Sequence, residues 1–540
     1  MSAWRATALV ILATVILPAI LLWPLPIAAP ERLLGAPNGE IATHLWRLWA
    51  VWRAGSIYSA QTDLLAWPGG VEVMIVDPLH LPIFVLGFGL GGPALGAHLI
   101  LWSGLAVAGL ASLSLARVTG ASAAGQGLAL VLGVSCPGLL GVVSHGMTES
   151  LGAGWVVAQL AALLWHLEAP SWRRGLTFVL LLSAAAHAGP YNAVWAAILD
   201  LAVALSRPRA LHITAPVGLI GGLLCAPPLW FALHQTSGQP GGLMAPQVGG
   251  ALRVGGGAEV LAFVRPDWST PEGLTFPAYL GVVALILAGV GAWRLGARRA
   301  APFVVGVIGF VLLSWGPRLL HDGDWLMMGG EKVAGPVSWL VQLLPPLERL
   351  TRWHRAAAVA CLLCAPLVAS ATRRPGIAAG LALLLLLDAR LGAGVGRRLP
   401  SSPMPDAQAL AVLDGPVMEL PNDHSANLSG RMLGENLLAQ TLHGQPTDAV
   451  LYPSPADPET HLVEHTLIQA IRRPDAGPTA SDRHAAASLA AARGFRWLLV
   501  WPGRFDLVET PGLTEALGPP AASTPGLVIY RLPDAPRPSR

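Results

Sequence analysis

Charged residues are scarce in this 540-residue chain: they make up 12% of the sequence, whereas 53% of it is hydrophobic. A typical soluble protein carries about a quarter charged residues, so this chain has too few to cover a surface in water. The deficit excludes an ordinary soluble enzyme and indicates a protein that lies largely in lipid. Lys332 is the only lysine, and a net charge of +3 is too small to indicate nucleic-acid binding.

Cysteine is rare as well, with four residues that all lie in apolar runs. Cys361 and Cys364 form a CxxC, a spacing typical of redox or metal sites. Two leucines separate them within a hydrophobic run, so we interpret both as small buried hydrophobic side chains. No disulfide framework is predicted.

Long hydrophobic runs, by contrast, are abundant, and many approach the roughly 20 residues that a membrane-crossing helix needs. The first run follows Met1–Arg5 and is long for a signal peptide, so it is interpreted as an uncleaved span. The predicted fold class is an α-helical polytopic membrane protein with about eleven transmembrane helices. The predicted spans lie near residues 6–28, 94–116, 122–143, 150–167, 175–188, 190–206, 212–233, 276–293, 301–316, 356–371 and 375–395.

Arginines in the short connections predict the orientation, because cytoplasmic loops carry an excess of basic residues. With eleven spans, five groups of arginines fall on the same side as the N-terminus. That side is predicted to be cytoplasmic. The groups are Arg117, Arg173–Arg174, Arg207 with Arg209, Arg294 with Arg298–Arg299, and Arg373–Arg374.

The other side receives the long segments, including the first outer loop 29–93 and the C-terminal tail. We predict a transmembrane domain over 1–395, a proline-containing linker over 396–410 and a small extracytoplasmic α/β domain over 411–540. The tail has strand-like runs at 417–420, 496–501 and 527–532 and helical patterns near 428–442 and 483–493.

Ionisable residues at membrane level are the best functional leads, because they are expensive to place there. Glu40, His44 and Arg47 lie at helical spacing just after the first span. A carboxylate at a helix start near the membrane is a candidate general base. The alternative is that Glu40 only complements the helix dipole.

Two further leads lie in outer segments. His145 and Glu149 are four residues apart in a tight turn, where a shared helix face would let them bind a metal or relay a proton. The alternative is a hydrogen-bonded pair that caps the turn. Asp77 precedes Pro78 at the end of the first outer loop, where its role is either in a site or only in turning the chain.

Three arginines precede the tenth span on the outer side, where the positive-inside rule disfavours them. Arg349, Arg352 and Arg355 recur every three residues, which predicts that they line one helical face. Guanidinium groups match phosphate geometry and can hold a lipid phosphate. The alternative is that these side chains snorkel to ordinary headgroups.

Taken together, these segments form a diffuse pattern over most of the chain. It comprises Gly39-Glu40…His44-Leu-Trp46-Arg47, Trp67-Pro68-Gly69-Gly70 and Asp77-Pro78-Leu79, then Phe276-Pro-Ala-Tyr279 and Pro345-Pro-Leu-Glu348-Arg349…Arg352-Trp353-His354-Arg355. Met418-Glu-Leu-Pro421 and Gly494-Phe-Arg-Trp497 in the tail also fit. The pattern resembles bacterial membrane proteins related to glycosyltransferases of the GT-C fold, the group that includes YfhO-like proteins.

The resemblance implies an inverting transferase that uses a polyprenyl-phosphate-linked sugar at the outer face of the inner membrane, with an envelope acceptor. Glu40 would be the general base, where such enzymes usually show Asp. Arg349, Arg352 and Arg355 would face the lipid phosphate, and His44, Asp77, His145 and Glu149 would bind substrate. Glu149 and His145 are also candidates for holding a divalent metal, Mg²⁺ or Mn²⁺.

Two other functions stay open. A non-catalytic envelope-assembly protein would keep the fold without chemistry, which suits the change from Asp to Glu. A transporter of lipid-linked substrates would place ionisable residues in mid-span, whereas Asp200 and Asp388 lie closer to the ends of their predicted helices.

The topology is testable with reporter fusions. A periplasmic reporter fused after Arg398 should be active, because eleven spans place that residue outside, whereas a cytoplasmic reporter should be active after Arg299. Activity of a cytoplasmic reporter after Arg398 would contradict the eleven-span topology.

Overall fold

The protein is described from a computed structural model. It describes residues 3–22, 31–35, 41–65, 67–144, 146–207, 211–237, 257–265, 278–322, 324–345, 347, 350, 352–392, 401–420, 434–448, 479–502 and 511–534.

Most of the described residues are helical. The helices are, in chain order, α1 Ala3–Leu22, α2 Ile41–Arg53, α3 Leu81–Val118, α4 Ala123–Val134, α5 Pro137–Ser144, α6 Ala153–Glu168, α7 Trp172–His187, α8 Pro190–Ser206, α9 Leu211–Ser237, α10 Val282–Leu295, α11 Ala297–Ser314, α12 Val337–Leu343, α13 Ala356–Leu363, α14 Ala365–Ser370, α15 Pro375–Gly392, α16 Ala407–Leu410, α17 Gly434–His443, α18 Ala480–Ala492 and α19 Pro511–Leu517.

Strands are short and few by comparison. They are β1 Arg32–Leu34, β2 Ser59–Thr62, β3 Val71–Met74, β4 Leu320–His321, β5 Asp324–Trp325, β6 Met327–Met328, β7 Glu331–Lys332, β8 Ser401–Pro403, β9 Val417–Leu420, β10 Trp497–Val500, β11 Ala522–Thr524 and β12 Leu527–Arg531. Single 3₁₀ turns at Pro78–His80, Thr148–Gly152 and Trp353–Arg355 directly precede α3, α6 and α13.

The chain divides into two compact units. The helical unit comprises Met1–Ala36, Val76–Ser237 and Met244–Ser401, and the α/β unit comprises Pro37–Ile75, Gly238–Leu243 and Ser402–Arg540.

Each of the eleven predicted spans overlaps a helix or a pair of consecutive helices among the described residues of the helical unit. Seven helical stretches among the described residues are long and apolar enough to cross a membrane, and three shorter apolar helices occupy 10–22, 190–206 and 282–295. Of the predicted spans, α7 falls in neither group. The fold class is therefore that of a helical polytopic membrane protein, and the number of crossings stays a prediction.

The second predicted span begins earlier in the structure than in the sequence pattern. Helix α3 starts at Leu81 rather than at residue 94, and it is broken at Gly91 and Gly92. Gly92 has φ 81° and ψ −173°, a conformation that side chains with a Cβ rarely adopt. Pro93 then restarts the helix. The glycine pair thus separates a first helical segment from the predicted span.

Arginines at the predicted cytoplasmic ends satisfy backbone carbonyls that the helices leave without intrahelical partners. Arg174 donates to the Trp165 carbonyl at 2.8 Å and lies over the Trp165 ring at 4.6 Å. Arg294 donates to the Ala371 carbonyl at 2.5 Å. Basic side chains near helix C-termini also interact favourably with the helix dipole, which gives these residues a structural role beside their predicted topological one.

The α/β unit is built on a mixed sheet of order β11-β12-β10-β9, in which β9 and β10 are parallel and the other pairs are antiparallel. Helices cover both faces, so β9, β10 and most of β12 are buried at successive residues rather than at alternate ones. One face packs on α18 through Met418, Leu420, Leu498, Val500 and Tyr530. The other packs near α17 through Val417, Trp497, Leu499, Leu527 and Ile529.

Residues that follow the first span belong to this α/β unit. Trp46 in α2 donates through Nε1 to Gln440 Oε1 at 2.6 Å, and Gln440 in turn donates to the Leu64 carbonyl. Arg53 donates to the Gly444 carbonyl at 3.1 Å. Helix α2 thus packs in the core of the α/β unit against α17, which follows it in the sequence by about 400 residues.

An aspartate from one helix caps the start of another in the helical unit. Asp388 in α15 accepts a hydrogen bond from the Val283 N–H at 2.8 Å and one from the Tyr279 hydroxyl at 2.6 Å. The same hydroxyl accepts from the Val282 N–H at 2.9 Å. The first two N–H groups of α10 therefore donate to two side chains.

Removing this cap should weaken the helical unit. Asp388→Ala should lower the free energy of unfolding by about 1–2 kcal/mol, the usual range for a lost N-cap, and Tyr279→Phe by less because Asp388 remains. Thermal unfolding in lipid nanodiscs measures both, with the exposed Glu331→Ala as control. An Asp388→Ala protein that unfolds like the control would show that the cap contributes nothing.

Candidate functional site

The starts of four helices meet in the helical unit. Helices α3, α6 and α13 are each preceded by a 3₁₀ turn, and α8 begins at Pro190, a residue suited to a first helical turn. The first N–H groups of a helix lack intrahelical partners and carry partial positive charge. A point where four such ends converge therefore favours acidic side chains and anionic ligands.

The first polar group of the site is Asp77, which precedes α3 and is 1% exposed. Its Oδ2 accepts from the Thr148 hydroxyl at 2.7 Å and lies 2.9 Å from His80 Nδ1. His80 and Thr148 are buried as well. Asp77 therefore joins the turn before α3 to the turn before α6.

The second group is a buried ion pair. Glu149 Oε1 lies 2.6 Å from Arg355 Nη1, with side-chain exposures of 10% and 4%. A buried pair of this kind is retained only if each charge compensates the other, because desolvating an isolated charge costs several kcal/mol. The pair joins the turn before α6 to the turn before α13, across 206 residues of sequence.

Tyr191 and Asn192, at the start of α8, hold both members of this pair. The Tyr191 ring lies 4.7 Å from the Arg355 guanidinium carbon, in range of a cation–π interaction, and its hydroxyl accepts from the Arg352 N–H at 3.0 Å. Asn192 donates to the Glu149 carbonyl at 3.0 Å. Tyr191 thus holds the backbone at Arg352, and Asn192 holds the backbone at Glu149.

Close packing at Gly152 makes this arrangement possible. A Cβ at Gly152 would lie 2.0 Å from Asn192 Nδ2, which no side chain tolerates. One turn after Tyr191 in α8, Trp195 packs on Trp353 at 5.7 Å and on Phe310 at 5.9 Å between ring centroids. These rings give the polar cluster an apolar floor, where electrostatic interactions are stronger than in water.

The sequence located several of these residues and missed others. It selected Asp77, Glu149, Arg352 and Arg355, which the structure brings to the same helix starts. It missed His80, Thr148, Tyr191 and Asn192. The Pro190-Tyr191-Asn192 run has polar residues directly at a helix start, and this signal was available in the sequence.

Two predictions of local geometry are wrong. Arg352 has φ −121° and ψ 60°, and helical structure begins only at Trp353, so Arg352 and Arg355 do not line one helical face. Gly146 has φ 73°, and neither it nor Met147 is helical. The chain from Gly146 to Met147 is therefore not the helical turn that a shared face of His145 and Glu149 would need.

The remaining predicted site residues lie in the α/β unit or outside the described residues. Glu40, His145 and Arg349 lie outside the described residues. His44 is buried in α2 of the α/β unit. Asp200, whose position near a helix end argues against a transporter, accepts from Gln159 at 2.8 Å and so has a protein partner, as Asp388 does. The four cysteines are buried thiols.

Breaking the buried pair should destabilise the protein strongly. Glu149→Gln or Arg355→Met leaves the other charge uncompensated, so each should lower the free energy of unfolding by about 3–5 kcal/mol. The double variant should recover part of this loss. Thermal unfolding in nanodiscs measures all three.

The exposed pair between Arg496 and Asp414, at 4.0 Å, supplies the matched control. Arg496→Gln should cost less than about 1 kcal/mol, as exposed pairs do. Equal effects of Arg496→Gln and Arg355→Met would contradict a compensated buried pair.

The comparisons with known proteins identify a fold. No family model and no curated protein sequence matches the chain. The cryo-EM structure of the arabinofuranosyltransferase AftD from Mycobacteria aligns with 98% of this chain at a TM-score of 0.60 and 15% identity. A mutant of the same enzyme aligns at 0.52 and 16% identity over 98% of this chain and 42% of that one.

The chain spans about two fifths of the AftD chain, of which the alignment covers 40%. The crystal structure of ArnT from Cupriavidus metallidurans aligns over 98% of both chains with 15% identity, but its TM-score of 0.46 is too low to carry an argument. At such identities the likeness concerns the fold alone. The chain has the GT-C fold of membrane glycosyltransferases.

Proposed function

We propose that this protein is a membrane glycosyltransferase that transfers a hexosyl or pentosyl group from a polyprenyl-phosphate donor at the outer face of the bacterial inner membrane. The GT-C fold and the predicted topology support this proposal. The observation that carries it is the Glu149–Arg355 pair, which holds a guanidinium group where four helix starts converge. Positive charge and helix N-termini together suit a phosphate.

Arg352 and Arg355 are the residues proposed to contact the donor phosphate, together with Arg349. Arg355 is preorganised, since Glu149 accepts from it on one side and Tyr191 stacks on it. A fixed guanidinium needs no reorganisation as negative charge develops on the leaving phosphate, and this is the main source of electrostatic catalysis. Glu149 in this proposal orients the arginine.

Asp77, with His80 and Thr148, is proposed to accept hydrogen bonds from sugar hydroxyl groups. The proposed roles of His44 and His145 in substrate binding come from the resemblance alone. Glu40 is proposed as the general base, a role that comes from the resemblance and not from the described geometry.

The reaction follows from these roles. Glu40 takes the proton of an acceptor hydroxyl, and the acceptor oxygen bonds to the anomeric carbon from the face opposite the phosphate. The bond between that carbon and the phosphate oxygen breaks, so the configuration inverts and polyprenyl phosphate leaves with the bonding electrons. The arginines stabilise the charge on the departing phosphate.

A divalent metal at Glu149 fits the described residues poorly. The Arg355 guanidinium already occupies Glu149 Oε1, and its positive charge opposes a second cation there. Asp77 Oδ2 is likewise engaged by Thr148 and His80, which leaves Oδ1 as the oxygen proposed to accept from sugar hydroxyl groups. No step of the proposed reaction is therefore assigned to a metal.

One observation favours a second candidate, a non-catalytic envelope-assembly protein. Glu149 and Arg355 neutralise each other, and such a closed pair also serves to hold helices together. In that case the fold would bind a lipid-linked saccharide without cleaving it.

Turnover separates the two functions. Purified protein in nanodiscs should consume a polyprenyl-phosphate pentose or hexose when an envelope glycan extract is added. Glu40→Gln should lower kcat by about 10²–10⁴-fold, as loss of a general base does, and Arg352→Gln should mainly raise the donor KM. Arg496→Gln is the control and should change neither constant.

If folded wild-type protein binds these donors but consumes none of them, the assembly protein becomes the better assignment. If Glu40→Gln keeps the full rate, the transferase stands but its base lies elsewhere.

A further inference from the structure

A second cluster of side chains lies in the helical unit, outside the site described above. It forms where the segment 257–265 meets the hairpin β4–β5. Glu259 forms a parallel backbone bridge with Leu320, and the Val260 N–H donates to the Leu320 carbonyl at 3.2 Å. This register brings Glu259 beside His321 and Asp322, which follow Leu320 in the chain.

The three side chains present a mixed set of ligand atoms. Glu259 Oε1 lies 3.6 Å from His321 Nδ1, and Asp322 Oδ2 lies 3.5 Å from His321 Nε2. Each residue offers one ligand atom such that all three lie within 4.8 Å of one another. The Glu259 carboxylate also accepts from the Asp322 N–H at 3.1 Å, which fixes it against the turn.

We propose that Glu259, His321 and Asp322 form a binding site for a divalent transition-metal ion of the Zn²⁺ class. Ligand bonds of about 2.0–2.2 Å in a tetrahedron place ligand atoms roughly 3.3–3.6 Å apart. Glu259 and Asp322 lie near different ring nitrogens of His321, and only one of these can bind the ion. Side-chain rotations must therefore bring the three ligand atoms, which now lie within 4.8 Å of one another, to the tetrahedral spacing. An imidazole with two carboxylates suits Zn²⁺ better than Mg²⁺ or Ca²⁺, which prefer oxygen ligands alone. This inference does not depend on the proposed transferase function.

Exposure leaves room for the rest of the coordination shell. The side chains of His321 and Asp322 are 48% and 70% exposed, whereas that of Glu259 is 15% exposed. Water can therefore fill the remaining position. Arg265 Nη1 lies 3.7 Å from Asp322 Oδ1, on the oxygen other than the one that faces His321, so Oδ2 stays directed into the cluster.

The metal would join two segments that pack on each other close to the 3₁₀ turn Trp353–Arg355. Gly257 and Gly316 pack backbone to backbone, and a Cβ at Gly316 would lie 3.2 Å from Gly257 Cα and 3.5 Å from Trp353 Cβ. Trp353 lies between Arg352 and Arg355 in the chain. A bound ion at Glu259 would thus tie the segment 257–265 to the hairpin, which begins four residues after Gly316.

Metal titration tests the site directly. The full chain, purified without a histidine tag and stripped with a chelator, is titrated in nanodiscs with Zn²⁺ against a chromophoric competitor. We expect one saturable site per chain. His321→Ala and Glu259→Gln should each weaken binding by at least about tenfold, since even ligand-supporting residues contribute that much. Zn²⁺ should raise the melting temperature of the wild type by mass action and that of the variants less.

Three control measurements make the result decisive. Glu331→Gln in the neighbouring hairpin and His484→Ala in the α/β unit should leave the Zn²⁺ affinity unchanged. Without metal, His321→Ala should melt like the wild type, because His321 is exposed. Glu259→Gln should do so as well, because the glutamine keeps an oxygen that can accept from the Asp322 N–H. Equal Zn²⁺ affinity of wild type and His321→Ala, or tighter binding of Ca²⁺ than of Zn²⁺, would overturn the proposal.

Discussion

The pairing of Glu149 with Arg355 is the interaction on which the polar centre of the helical unit depends. Neither charge is stable alone in so buried a place, so the helix starts that carry them are held together by mutual compensation. Asp77 adds the start of α3 through Thr148, and Asn192 adds the start of α8 through the Glu149 backbone. Four helices that are far apart in the sequence are therefore held at one point by hydrogen bonds. Apolar packing contributes less here, because burying apolar side chains gains little when the alternative surroundings are lipid.

Local patterns in the sequence predicted most of the long helices and three strands of the α/β unit. Hydrophobic runs predicted helices because a chain in lipid must satisfy its backbone internally. The arginines at one set of helix ends predicted the orientation across the membrane, which stays a prediction. The strand-like runs at 417–420, 496–501 and 527–532 coincide with β9, β10 and β12, because strands covered on both faces are continuously apolar.

Contacts between distant segments could not be predicted in this way. Nothing local indicates that Glu149 meets Arg355 across 206 residues, or that α2 packs in the α/β unit through Trp46 and Gln440. The three-residue spacing of the arginines suggested a helical face, but a 3₁₀ turn begins only after Arg352. Tyr191 was not predicted because its role depends on contacts with Arg352 and Arg355, which lie about 160 residues later in the chain.

The proposed chemistry depends on whether this centre receives a lipid phosphate. A cryo-EM structure of the protein in nanodiscs with a non-cleavable polyprenyl-phosphonate sugar tests that claim most directly. The account predicts density for the phosphonate within hydrogen-bonding distance, about 2.7–3.2 Å, of Arg352 or Arg355, with the Glu149–Arg355 contact retained. A phosphonate that binds away from both arginines would contradict it.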